Sequence, residues 1–184
     1  MRLTTERLVI REIRKSDVKD IVRNANNLNV SRYLLRVPYP YRKKDGEWWV
    51  GLCQKDSKKK PRIDYQFAIE LKSEKRLIGA ISLMHVDRFQ GTAEIGFWLG
   101  EGYWRQGIMS EAIRVVLEIG FEKLKLRRIN WNAFAENKGS NALAKKFSFK
   151  FEGVKRKDVR SKATGKIHDH NLCGLLFEDW KRKR

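Results

Sequence analysis

The chain has 184 residues and 41% hydrophobic content, enough to bury one core without staples, so a single domain over residues 1–184 is expected. Its 41 Lys and Arg against 22 Asp and Glu give a formal net charge of +19, a field that attracts polyanions. No run approaches the roughly 20 apolar residues of a membrane span, and the start MRLTTERLVIREIRKSD lacks the apolar stretch of a secretion signal, so a cytoplasmic location is expected. Cys53 and Cys173 have neither CxxC nor Cys/His ligand spacing, which argues against a zinc site or a disulfide framework.

In chain order, residues 3–13 read as a first strand with Leu8 and Ile10 on one face, and Asp17 opens a helix through Ile21 and Asn24. Residues 26–62 read as irregular. Their Tyr33, Tyr39, Tyr41, Trp48 and Trp49 suit core and entrance packing better than stacking platforms for bases. KDSKKKPR, at residues 55–62, reads as a solvated basic loop. Residues 65–71 and 77–86 are two strands joined by a hairpin-length connection, with His85 at the end of the second as a hydrogen-bonded sheet histidine or, less simply, a site residue.

Residues 93–124, AEIGFWLGEGYWRQGIMSEAIRVVLEIGFEKL, read as a strand, a glycine-bearing turn and a long helix. Gly96 weakens the interior of that strand and flags a bulge or a closely approaching ligand. Ala112, Ile113, Val116 and Leu117 recur at helical spacing, so the helix starts close to Gly107. First-turn N–H groups have no partner inside a helix and its dipole is positive there, which suits a phosphate or pyrophosphate, and Arg105 and Gln106 add charge and donors.

Residues 127–153 carry a second pattern. Ile129, Trp131, Ala133 and Ala135 alternate with Arg128, Asn130, Asn132 and Phe134 as a strand; Asn137 is then an N-cap, with Ser140 one turn later on the same helix face. Residues 149–156 begin another strand, residues 158–170 form a polar connection, residues 170–177 are a last strand, and the terminal KRKR reads as frayed. His168 and His170 share a strand face with Asp169 opposite, and no third ligand is evident, so no metal site is assigned.

The stretch EGYWRQGIMSEA after AEIGFWL resembles the coenzyme A pyrophosphate loop of the GNAT N-acetyltransferases, in particular the RimJ/RimL-like branch. Tyr103, Trp104, Ser110, Glu111 and Ala112 fit that branch, while Trp104, Gly107 and Met109 fall on the three places of the general pattern, of which Gly107 matches. Glu136, Asn137, Ser140, Leu143, Phe149, Glu152 and Gly153 fall on the family's second motif, with Ser148 where a glycine usually stands. Thr-Glu-Arg-Leu at residues 5–8 resembles the start of such chains, so the likeness covers nearly the whole sequence.

The resemblance implies an α/β GNAT fold: a mixed sheet of about seven strands, the fourth and fifth splayed, with helices on both faces and coenzyme in the gap. It implies acetyl-CoA as cosubstrate, no metal, and direct acetyl transfer to a primary amine. Phe97, Trp98, Leu99, Trp104, Arg105, Gln106, Gly107, Ile108, Met109, Ser110, Asn132 and Asn137 are then the coenzyme-facing residues. A backbone amide at Phe97 or Trp98 would serve the tetrahedral oxyanion. Ser140 would serve the departing thiolate, with helix capping as the alternative; for Asn137, a pantetheine contact and capping are compatible. Glu94, on the same strand face as Gly96, is the candidate base or water-chain anchor, with a surface salt bridge as the alternative.

The acceptor expected is a protein N-terminal α-amine, with a polyamine or aminoglycoside as the alternative. The basic surface is either solvated or in contact with ribosomal RNA. A ribosome-binding protein on a GNAT scaffold and a coenzyme A-binding domain without catalysis also stay open, as does oligomeric state, a homodimer included.

Overall fold

The computed structural model describes residues 1–182. One eight-stranded sheet organises it: β1 (Arg2–Thr4), β2 (Leu8–Glu12), β3 (Tyr65–Leu71), β4 (Arg76–Asp87), β5 (Thr92–Leu99), β6 (Arg128–Phe134), β7 (Lys150–Arg160) and β8 (Ile167–Leu176), in the spatial order β1-β2-β3-β4-β5-β6-β8-β7. All neighbours are antiparallel except β5 and β6, which are parallel and joined through α4 (Ile108–Glu118) and a π-helical turn at Ile119–Lys123.

Apolar residues face both sides of the sheet, and helices cover each. On one side α4 and α5 (Lys138–Lys146) pack Ile113, Val116 and Ala144 over Leu83, Ile95, Ile129 and Trp131. On the other, α1 (Val18–Ala25) and α3 (Lys43–Ser57) pack Ile21, Ala25, Val50 and Cys53 over Ala68 and Leu77. A short α2 (Leu28–Ser31) lies between them in sequence, and α6 (Phe177–Lys181) follows the sheet.

The β5–β6 ladder runs Thr92↔Arg128, Ala93↔Ile129, Glu94↔Asn130, Ile95↔Trp131 and stops there. Both strands continue, β5 against β4 to Leu99 and β6 against β8 to Phe134, so a V-shaped opening follows Ile95. These are the strands expected as fourth and fifth.

Several expectations are corrected. The first strand is a hairpin, β1 and β2, turning at Thr5 to Arg7, where the Thr5 N–H donates to the Leu8 carbonyl at 3.0 Å, and this brings the sheet of about seven expected strands to eight. Residues 26–62 are not irregular throughout: α3 buries Gly46, Val50 and Cys53 on one face and extends into the expected basic loop as far as Ser57. Trp48 is 66% exposed, not packed. Gly96 carries no bulge: the irregularity in that ladder lies between Met84 and Asp87, where His85 sits exposed at φ +52°. A Cβ on Gly96 would lie 2.6 Å from the Met84 methyl, the far end of a flexible side chain that can turn aside. The last two strands are longer than expected and leave only residues 161–166 between them. Lys181 ends α6, and the last two residues of the expected frayed end lie outside the described residues.

Candidate active site

The opening has two chemically different edges. In the β4–β5 ladder the Gly100 N–H donates to the Ile78 carbonyl at 2.9 Å. Backbone groups alternate direction along an antiparallel strand, so Trp98 and Gly96 also address β4, whereas Phe97 and Leu99 address the opening. Phe97 thus holds an N–H at the point where its parallel neighbour has departed. Of the two amides expected to serve an oxyanion, Phe97 has the required direction and Trp98 does not; the Trp98 ring packs on Trp49 at 6.4 Å on the α1/α3 side. The Leu99 carbonyl is occupied by the indole N–H of Trp104 at 2.8 Å.

Gly107 is the N-cap of α4 at φ +76°, a left-handed conformation that glycine adopts without strain, and no side chain caps the helix. The N–H groups of Ile108, Met109 and Ser110 are therefore left for an anion. The side chains of these residues are buried, so it is their backbone that faces the turn. Arg105, at φ +60°, is exposed beside it, while the Gln106 side chain donates to the Gly102 carbonyl at 2.9 Å.

Two groups that sequence reasoning missed complete this end. Arg7 donates to the Gln106 carbonyl at 2.9 Å and pairs with Glu111 at 2.8 Å, and the Thr5 hydroxyl also donates to Glu111. The β1–β2 turn thereby clamps both sides of the Gln106–Gly107 turn. Partial burial works against the Glu111 carboxylate, but the Thr5 hydroxyl and the Arg7 backbone and guanidinium more than offset it, holding its pKa below the ordinary value. Lys146 brings a cation to the same helix start, donating to the Ser110 hydroxyl at 3.0 Å. The phrase Thr-Glu-Arg was the available signal for the first clamp; Lys146 had none.

Ser140 lies on the α4/α5 side of the opening. Its N–H is capped by the Asn137 side chain at 3.1 Å, and its hydroxyl oxygen accepts from the Trp131 indole at 3.1 Å, so its own proton remains to be donated. Asn137, not the Ser140 hydroxyl, is the cap. Phe97 packs edge-on against Trp131 with centroids 5.0 Å apart, which brings the β5 edge and the Ser140 partner together.

Glu94 and Asn132 alternate onto the opposite side, where the Asn132 amide donates to Glu94 at 2.9 Å. Glu94 makes no ion pair with Lys or Arg among the described residues, contrary to its structural alternative. Phe134 follows two residues on, with Tyr33 edge-on at 6.3 Å and His168 stacked on it at 4.7 Å. His168 and His170 each face a separate carboxylate, Glu136 at 3.1 Å and Asp158 at 3.2 Å. A cavity of about 670 Å³ lies elsewhere, between α1 and α3 beside Lys15, Lys19 and Lys43, and none of the expected site residues lines it.

Residues 7–150 match the family described as "Acetyltransferase (GNAT) domain". The chain is 38% identical over 117 residues to the probable N-acetyltransferase YjcK of Bacillus subtilis, a match covering 63% of this chain and 64% of that one. It is 36% identical over 80 residues to the ribosomal-protein-serine acetyltransferase of Escherichia coli, covering 44% and 45%. Among solved structures, the microcin C7 self-immunity acetyltransferase MccE, in complex with acetyl-CoA and AMP, shares the fold at a TM-score of 0.82 and 21% identity over 94% of this chain and 93% of that one. The chain therefore belongs to the GNAT acetyltransferase family, whose cosubstrate is acetyl-CoA.

Proposed function

We propose that this protein moves an acetyl group from acetyl-CoA to a protein N-terminal α-amine. The observation that carries the reading is the opening beyond Ile95 and Trp131, with an unladdered N–H at Phe97, a spare hydroxyl proton at Ser140 on one side of the sheet and a carboxylate at Glu94 on the other. The uncapped start of α4 and the cations of Arg105 and Lys146 suit the pyrophosphate of the coenzyme. Acetyl-CoA, when bound, supplies the thioester. Phe97 then offers a donor where carbonyl charge develops, Ser140 donates toward the sulfur side, and Glu94 receives a proton from the amine side.

An α-amine suits this arrangement because its reference pKa is about 7.7–8.0 against about 10.4 for lysine, so a modest base suffices. The likeness to a ribosomal-protein-serine acetyltransferase points the same way. An acetylation screen with peptides beginning in Ser or Ala, polyamines and aminoglycosides, read by thiol release and product mass, tests it. Peptide turnover is expected; turnover of spermidine or an aminoglycoside alone would replace the α-amine by a small-molecule acceptor.

A second, compatible reading is that the basic surface docks on RNA carrying the acceptor protein. It is favoured by the β7–β8 hairpin, where Lys155, Arg156, Lys157, Lys162 and Lys166 have no acidic ion-pair partner among the described residues and Phe151 is 62% exposed. Docking of this kind makes kcat/KM higher on assembled ribosomal particles than on free peptide, with the advantage falling as salt rises. Equal rates at all salt concentrations would remove it.

A further inference from the structure

Residues 27–40 leave the end of α1 and come back to it, closed at the base by the Tyr41 N–H, which donates to the Asn26 side chain at 2.9 Å. An excursion whose ends meet in this way is an Ω-shaped loop, and α2 is the helix it contains. Asn27 caps α2, its Oδ1 accepting from the Asn29 N–H at 2.8 Å. The Asn27 amide nitrogen turns away from the helix and donates to Glu101 at 2.6 Å, and the Asn29 amide donates to the other Glu101 oxygen at 2.8 Å. Glu101 has no Lys or Arg ion-pair partner among the described residues, in a chain of formal charge +19. Both its oxygens are given instead to amides of one short helix.

Glu101 follows the end of β5 at Leu99 and opens the turn that runs to Gly107 and α4, so its place in the chain suggests a coenzyme residue. Its partners point elsewhere. Gly100 beside it packs so closely on Asn24 of α1 that a Cβ there would lie 2.3 Å from the Asn24 Oδ1, and the Asn24 amide donates to the Asp20 and Leu77 carbonyls at 2.9 and 3.1 Å. The end of β5 is thus fixed to α1 and β4, and Glu101 stands on a rigid base. Further along the excursion Tyr33, half-buried, packs edge-on against Phe134, the last residue of β6. β5 and β6 share no ladder after Ile95 and Trp131, so residues 27–33 join the two strands again beyond the point where they part. Val30 and Ser31 are buried, so this strap is seated on the protein and not draped in solvent.

We propose that Glu101 is a positioning residue for the amine acceptor: it anchors α2 to the end of β5, and α2 in turn holds Tyr33 as a wall of the opening on the sheet side that carries Glu94 and Asn132. Glu101 acts through Asn27 and Asn29 and takes no part in the chemistry. The coenzyme turn does not depend on it, because Asn24 against Gly100, the Trp104 indole on the Leu99 carbonyl and Arg7 on the Gln106 carbonyl hold that turn independently. This role rests on the proposed entry of the acceptor on the Glu94 side, and it holds for a peptide or a small amine alike.

The test is steady-state kinetics of wild type, Glu101→Ala, Glu101→Gln, Asn29→Ala and the double variant Glu101→Ala/Asn29→Ala, with a serine-initiated peptide as acceptor, or spermidine should the screen select it. Glu101→Ala is expected to raise the amine KM about tenfold, the scale of a hydrogen bond to a charged group, while kcat and acetyl-CoA affinity stay within about twofold. Glu101→Gln keeps one accepting oxygen and loses less. Asn29→Ala, exposed on the strap and away from the coenzyme turn, raises the same KM, and its effect does not add to that of Glu101→Ala; it carries the test should Glu101→Ala fail to fold. Amide exchange of Val30, Ser31 and Arg32, which donate to the Asn27 and Leu28 carbonyls, quickens in the same variants. An acetyl-CoA affinity that falls while the amine KM holds would overturn the role by returning Glu101 to the coenzyme turn. An amine KM unmoved by these substitutions but a kcat/KM lowered by Glu94→Gln overturns the strap and leaves the acceptor side standing. No effect of either set on amine kinetics removes both.

Discussion

The two mouths of the opening between β5 and β6 are built by different means. On the side we propose for the coenzyme, one continuous stretch from Phe97 to Glu111 supplies the strand edge, the turn and the helix start, and Arg7 and Lys146 are added to it. On the side we propose for the acceptor, Tyr33, Glu94 and Phe134 come from separate segments of the chain. An anion can be held by backbone amides, which every sequence possesses, so its site needs little more than a helix start at a glycine able to take positive φ. Recognising the donors of an acceptor needs side-chain lone pairs at chosen points, and only the sheet register brings those together.

The largest expected effect strikes the backbone side. Gly107→Glu sets a carboxylate at the helix start and forces a side chain into φ +76°; acetyl-CoA affinity should fall by roughly a thousandfold, ~4 kcal/mol, with circular dichroism unchanged. Next is Ser140→Ala, expected to lower kcat by about ten- to ten-thousandfold with little change in acetyl-CoA affinity. Loss of melting temperature with kcat intact would assign the Ser140 hydroxyl to its bond with the Trp131 indole alone. Glu94→Gln tests the other mouth: kcat/KM for amine should drop about tenfold or more, and coenzyme binding should not move.

The smallest effect concerns the clamp. Glu111 has a lowered folded pKa, so its contribution is complete above its ordinary value of 4.5 and is lost as pH falls through the folded value. The melting difference between wild type and Glu111→Gln should therefore be constant at neutral pH and shrink in acid. A difference that grows in acid would reverse the sign assigned to this group.

The same contrast explains what could be read in advance. The turn before α4 is local, and its glycines and helical periodicity sit within one window, as do the Asn137 cap and Ser140. The Arg7–Glu111 pair joins residues 104 apart, and nothing in the spacing of either predicts it. α3 was obscured because Gly46 and Gly51 dilute its pattern; buried Gly46 sits 3.0 Å, by its would-be Cβ, from Val22 of α1, so close helix packing rather than propensity holds it. β7 was cut short because it is an edge strand exposed along nearly all its length, and its run of Lys and Arg protects that edge instead of alternating with apolar residues. The direction of the Phe97 amide, finally, follows from one loop hydrogen bond at Gly100, and no propensity scale contains it.

Amide hydrogen exchange with and without acetyl-CoA tests the placement of the coenzyme most directly. The N–H groups of Phe97, Ile108, Met109 and Ser110 should gain protection on binding, while that of Trp98, already turned to β4, should change little. Protection confined to the groove between α1 and α3, with Phe97 and the start of α4 unchanged, would contradict the assignment of the opening as the acetyl-CoA site.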